Sequence, residues 1–193
     1  MEKGLARLTA PLHMFIHLLR GNTKKGSRLN IAAHYDLGND FYKLFLDETL
    51  TYSCNIFECQ DSTLKEASLA KYHRICQKLE LSSQDHIVEI GSGWGGFAIY
   101  AAQKYGCRIT TTTISAAQHD LAKKRIDEAG VAHKVELLLE DYRDLRGKYD
   151  KLVSIEMIEA VGHQYLDTFF RSCSNLLKEN GMMLLQAITM TDQ

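Results

Sequence analysis

Apolar residues along this chain fall into two regimes that meet near residue 86. Ahead of it they recur at helical spacing. Residues 1–30 carry Leu12, Phe15, Ile16, Leu18 and Leu19 in a helical pattern that gives way to loop at the breakers Gly21-Asn22 and Gly26-Ser27. Asn39–Leu46 reads as a short aromatic-rich helix, with Phe41, Tyr42, Leu44 and Phe45. A longer helix starts at Ser62, where Ser62-Thr63-Leu64-Lys65-Glu66 approaches a capping box. Leu64, Ala67, Leu69, Tyr72, Ile75, Cys76 and Leu79 supply its apolar face.

Beyond residue 86 short β-rich runs alternate with helical ones. His86–Ile90, Cys107–Thr112, Val135–Leu139, Lys151–Ile155 and Met182–Ile188 read as strands. Helices lie between them: one reaching Tyr105, one over Ser115–Ala129, and one over Tyr165–Leu177 that stops at Asn180-Gly181. This alternation predicts an α/β fold, a parallel sheet flanked by helices. Met182–Ile188 is almost wholly apolar, the pattern of a strand covered on both faces. The expectation is a domain over 31–193 that lacks its C-terminal strands, preceded by a helical segment or linker over 1–30.

Charge refines this picture at one end. The chain is net −1, which argues against a nucleic-acid partner. Residues 1–28, however, hold Lys3, Arg7, Arg20, Lys24, Lys25 and Arg28 against the single acid Glu2. Such a basic, leucine-rich segment either lies on an anionic membrane surface or is a solvated helix packed on a neighbour. No apolar run is long enough to span a bilayer, and no small-residue cleavage pattern follows the N-terminus. The five cysteines (Cys54, Cys59, Cys76, Cys107, Cys173) show no paired metal spacing and read as reduced thiols in a cytoplasmic protein. The eight histidines form no metal-ligand spacing either, so no metal site is expected.

The chemistry concentrates at Val88–Gly96, VEIGSGWGG, between a strand and a helix. Gly91-Ser92-Gly93-Trp94-Gly95-Gly96 satisfies the dinucleotide pattern G-x-G-x-x-G, which alone is a weak signal. Three features favour S-adenosylmethionine (SAM) instead. Glu89 places an acid inside the strand, two residues before Gly91. The next strand ends in Thr110-Thr111-Thr112-Thr113, without the acid a dinucleotide enzyme sets on the ribose. Asp141-Tyr142 follows the third strand, where this fold lines an adenine pocket.

Further motifs narrow the reading. His34–Tyr42 (HYDLGNDFY), Thr51–Cys54 (TYSC), the glycine loop, Asp141–Asp144 (DYRD) and Ser154–Gly162 (SIEMIEAVG) occur in this order. Together they resemble the cyclopropane-fatty-acid synthase family over roughly residues 25–190. The resemblance implies a Rossmann-like SAM-dependent methyltransferase that methylates a cis double bond of an unsaturated phospholipid acyl chain, proton loss then closing a cyclopropane. It implies a cofactor pocket of Tyr52, Ser53, Glu89, Gly91, Ser92, Gly93, Trp94, Gly95, Thr113, Ile114, Gln118, Tyr142 and Arg143. Tyr52, Trp94 and Tyr142 would set aromatic faces near the sulfonium. It also implies a bound bicarbonate as base, in a cradle that includes Cys54 and Glu159, with Gln186 beside it. Taken singly, Cys54 reads as a buried apolar residue and Glu159 as a helix-start acid; the motifs move both into the site.

Two positions depart from the common family pattern, Ala160 and Gln186, where many members have histidine. Glutamine donates hydrogen bonds but carries no charge. The family's C-terminal part would supply a tyrosine to the cradle and cover the acyl pocket. The resemblance further implies a cytoplasmic enzyme peripheral to the inner membrane face. Methyl transfer to another lipid or a small amine, and a SAM-binding fragment without turnover, are the alternatives.

Overall fold

The computed structural model describes residues 23, 26–27 and 38–190. Among the described residues, two helices lie between residue 38 and the sheet: α1, Gly38–Lys43, and α2, Leu64–Lys78. The capping box closes one residue later than the sequence suggested. Thr63 is the N-cap; its Oγ accepts from the Glu66 N–H, while the Glu66 carboxylate accepts from the Thr63 N–H.

From residue 86 the order is β1 His86–Ile90, α3 Gly96–Tyr105, β2 Arg108–Thr112, α4 Ala116–Glu128, β3 Val135–Leu138 and β4 Tyr149–Ile155. Two single turns, Ile158–Ala160 and His163–Tyr165, lead into α5 Leu166–Leu176 and β5 Leu177–Gln186. The five strands form one sheet in the order β3-β2-β1-β4-β5, every pair parallel. Helices cover both faces. Ile87 and Val88 illustrate why: as neighbours on a strand they point opposite ways, Ile87 into a core with Phe97, Tyr72 and Ile109, Val88 into one with Leu152, Phe169 and Leu176. Those two residues are therefore packing groups.

The structure corrects the sequence in three places. Gly26 and Ser27 have helical backbone, because Thr23 Oγ1 accepts from the Gly26 N–H (3.1 Å) as an N-cap would. The rest of the basic segment 1–28 lies outside the described residues. Near the other end, α5 stops at Leu176 and Leu177 already pairs with Tyr149. The next paired residues are Lys151 and Met182, so residues 178–181 bulge opposite Asp150 alone, held by Lys178 Nζ to Asp150 Oδ1 at 2.6 Å. Finally, β5 ends at Gln186, leaving Ile188 65% exposed, and the strand is only half-buried at the edge of the described sheet.

Among the described residues, no helix is long and apolar enough to cross a membrane, and no group of three or more His, Cys, Asp or Glu is placed to hold a metal ion. Cys76, Cys107 and Cys173 are buried thiols, whereas Cys54 and Cys59 are exposed.

Candidate active site

A cavity of about 1010 Å³ opens at the carboxyl ends of β1, β2 and β4. Strand order reverses between β1 and β4, and α/β sheets bind ligands at such a switch point. The glycine loop forms its floor. The Gly91 and Ser92 N–H groups both donate to the Thr112 carbonyl, at 3.0 and 2.9 Å, which bends the chain sharply off β1. Gly91 has φ +97°, and a Cβ there would press on Met157 at 3.3 Å. Gly95 faces the other way, towards Ala122, and is absent from the cavity wall; it is the left-handed N-cap of α3 and makes no side-chain cap. It serves the turn, while its neighbour Gly96 lines the cavity.

Gly96 lies beneath a strap formed by residues 47–55. A Cβ on Gly96 would meet the Tyr72 hydroxyl at 2.5 Å and the Thr49 carbonyl at 2.7 Å. Tyr72 in turn shares a 2.5 Å hydrogen bond with Thr51 Oγ1. Arg125 of α4 clamps strap to loop: its guanidinium donates to the carbonyls of Trp94 (2.5 Å), Glu48 (2.8 Å) and Thr49 (3.0 Å). Trp94 adds a second clamp, donating Nε1–H to Asn39 Oδ1 at 2.7 Å and packing 4.9 Å from the Tyr42 ring. Tyr42 then sits 5.2 Å edge-on to Tyr52. These contacts hold Tyr52, Ser53 and Cys54 as one wall of the cavity.

Thr113, Ile114, Gln118, Tyr142 and Arg143 line the side beyond β2 and β3. Thr113 Oγ1 donates to Gln118 Oε1 at 3.0 Å. Arg143 makes a two-pronged bond to Asp141, at 2.7 and 2.6 Å, and lies 5.5 Å above the Tyr142 ring. Its charge is therefore engaged by the buried Asp141 carboxylate, and it acts here as a wall that orients Tyr142.

Glu89 is 2% exposed at the end of β1, with Thr111 Oγ1 donating to Oε2 at 2.5 Å. Burial pushes its carboxyl up to about 8, the Thr111 bond offsetting only part of that cost. Lys71 of α2 is 1% exposed behind the strap, its Nζ donating to Ser53 Oγ at 2.5 Å. Burial lowers the ammonium to about 8, against upward pulls from Glu156, Cys54 and Asp47.

Of the three residues read from sequence as a reaction centre, Cys54 and Glu159 line the far side of the cavity, whereas Gln186 is absent from its wall. Cys54 and Gln186 meet at a fourth group, Glu156, while Glu159 has a different partner. Glu156, at φ +48°, follows β4, and its Oε1 accepts from the Cys54 N–H and from Gln186 Nε2, both at 2.8 Å. Gln186 Nε2 also donates to the Cys54 carbonyl at 3.0 Å, while Glu159 Oε1 accepts from the Ile188 N–H at 2.6 Å. Gln186 thus ties the strap to β5. Glu156, Lys71, Asn39 and Arg125 were not singled out from the sequence. Glu156 and Asn39 lie inside the motifs Ser154–Gly162 and His34–Tyr42; Lys71 and Arg125 act across the fold and leave no local pattern.

Comparison with known proteins agrees with this geometry. The family model for mycolic acid cyclopropane synthetase matches residues 22–193. A probable fatty acid methyltransferase from Pseudomonas putida is 37% identical over 172 residues, 88% of this chain and 44% of that protein. The cyclopropane-fatty-acyl-phospholipid synthase of Escherichia coli is 41% identical over 166 residues, 86% of this chain and 42% of its own length. The chain thus spans under half the length of these two relatives. A crystal structure of a mycolic acid cyclopropane synthase complexed with SAH and CTAB superposes with TM-score 0.78 at 36% identity, covering 82% of this chain and 55% of that one. A parallel sheet with its cavity at the switch point, an acid-free end of β2 and a family match over nearly the whole chain converge: this chain belongs to the mycolic acid cyclopropane synthetase family of SAM-dependent methyltransferases.

Proposed function

We propose that this chain forms the cofactor-binding part of an enzyme that moves the methyl group of SAM onto a cis double bond of an unsaturated phospholipid acyl chain. The product of proton loss is a cyclopropane lipid. One observation carries the reading: a single cavity joins the glycine loop to the Cys54–Glu156–Glu159 carboxylate cluster, with Phe45, Leu64 and Ile188 as apolar wall. Bound SAM supplies an electrophilic methyl; the π pair of the alkene forms the new carbon–carbon bond, and a methyl C–H pair closes the ring. An alkene is a poor nucleophile, so the chain contributes chiefly by placing it. Tyr52 and Tyr142 set aromatic faces in the wall, suited to a cation at roughly 0.5–2 kcal/mol each.

The departing proton needs an acceptor. Bicarbonate, implied by the family resemblance, fits these residues poorly. The Cys54 N–H and Gln186 Nε2 that would bind it already serve Glu156, and the Ile188 N–H serves Glu159. A bicarbonate would join two carboxylates. No step is therefore routed through it. Glu156 is the carboxylate those donors hold, and we take it as the acceptor.

Methyl-deuterated SAM given to the full-length enzyme with unsaturated phospholipid vesicles tests the reading. Cyclopropane product keeps two of the three deuterons; a product retaining all three would point to simple methylation of another acceptor. Activity that survives bicarbonate removal but falls at least about a hundredfold in Glu156→Gln supports Glu156 as base. Bicarbonate-dependent activity that tolerates this change would restore the ion to that role.

A further inference from the structure

Lys71 plays no part in the chemistry above, yet it is a buried ammonium one hydrogen bond from the cavity. An ammonium can only donate. Ser53 Oγ must therefore accept from Lys71 Nζ, and the hydroxyl hydrogen of Ser53 is left to point elsewhere. Ser53 lines the cavity, whereas Lys71 stands behind it. The pair is thus a polarised donor: a positive charge outside the cavity wall, and an O–H at the wall whose sense is fixed by that charge.

A second feature points the same way. The strap carrying Ser53 is seated on Gly96, the first residue of the ten-residue α3. That helix has no side-chain cap, and its first two residues, Gly96 and Phe97, line the same cavity as Ser53. The acid nearest in sequence to the loop, Glu89, is held protonated through neutral pH and adds no opposing charge.

Resting on the SAM reading above, we propose that Lys71 is a positioning residue that fixes the Ser53 hydroxyl as the hydrogen-bond donor for the carboxylate at the amino-acid end of the cofactor. Thr113, Gln118 and Tyr142 line another part of the same cavity, and the adenosine end is assigned to them by this reading. Loss of Lys71 removes the charge behind Ser53 and frees its hydroxyl to turn. The effect falls on ligands that carry the carboxylate and spares those that lack it.

Two ligands separate these cases: S-adenosylhomocysteine, which has the amino-acid end, and 5′-methylthioadenosine, which does not. Calorimetric titration of wild type, Lys71→Met and Ser53→Ala with each gives the answer. Both variants are expected to weaken S-adenosylhomocysteine about tenfold or more, the scale of a charge-assisted bond, while methylthioadenosine shifts less than about twofold. Equal weakening of both ligands, or no weakening of either, would overturn the assignment and leave Lys71 a strap anchor. Wild type that binds neither ligand would instead bring down the cofactor reading, and this inference with it.

Discussion

Glu89 spends its folded life in a place hostile to its charge. Unfolded, its carboxyl titrates near the ordinary 4.5; folded, burial holds the proton on until about 8. The folded chain therefore binds more protons than the unfolded chain between those values. Its contribution is fully present below the unfolded pKa and is lost as pH rises through the folded one. The loss is on the order of a few kcal/mol for a group this deeply buried. Glu89→Gln abolishes the titration, so its melting temperature should gain on wild type as pH is raised from about 5 to about 8. Parallel melting curves across that range would refute the account. Glu89 was legible from sequence as an acid inside an apolar strand, and Cys54 and Glu159 through their motifs. Glu156 shares the motif of Glu159, but its partners were not readable, because its donors lie 102 and 30 residues away in Cys54 and Gln186.

Among the elements, β1 and β2 were readable nearly to the residue, β1 as a largely apolar run and β2 as a run of β-branched residues, each closed by a clear change of pattern. The start of β5 was not. A bulge over residues 178–181 depends on Asp150 of the neighbouring strand, and the polar stretch reads as a turn when seen alone. The strap was invisible for a related reason: it has no regular structure, and long-range bonds from Arg125 and Tyr72 define it. Its seat makes a sharp prediction. Gly96→Ala drives a methyl into backbone and hydroxyl at under 3 Å, which neither neighbour can yield without lifting the strap. Affinity for S-adenosylhomocysteine should fall at least about tenfold, read by calorimetry, with secondary structure preserved. Unchanged affinity would mean that the strap tolerates displacement. The start of α2 offers a purely energetic counterpart. Thr63→Ala removes one half of the capping box and should cost about 1 kcal/mol in denaturant midpoint analysis, without altering ligand affinity.

For the whole molecule, the alternation of strands and helices made the parallel sheet predictable, while the order β3-β2-β1-β4-β5 and the position of the cavity emerge only from how the strands pack. Exposed apolar groups gather beside the strap: Phe41, Leu44, Phe45, Ile56 and Phe57. Independently, the sequence of segment 1–28 is basic and leucine-rich, a composition that favours anionic bilayers. The chain should sediment with anionic phospholipid vesicles at low salt and be released at roughly 0.5 M, as screening removes the charge attraction. Equal binding to zwitterionic vesicles, or none to either, would exclude an electrostatic contribution.

The wall of the cavity is synthesised before its floor, and it cannot be seated until α4 delivers Arg125. Contacts spanning this much chain form late in folding, because their loop-closure entropy is met only when the intervening sheet exists. The chain carries an optical witness to that event. Its single tryptophan, Trp94, donates to Asn39 of α1 and packs against Tyr42, which in turn meets Tyr52 of the strap. Intrinsic fluorescence therefore reports the seating of the wall, while far-ultraviolet dichroism reports the sheet. In refolding, the dichroism should recover ahead of the fluorescence, and added S-adenosylhomocysteine should raise the final fluorescence change without quickening the first phase. Coincident traces would mean that wall and sheet form together.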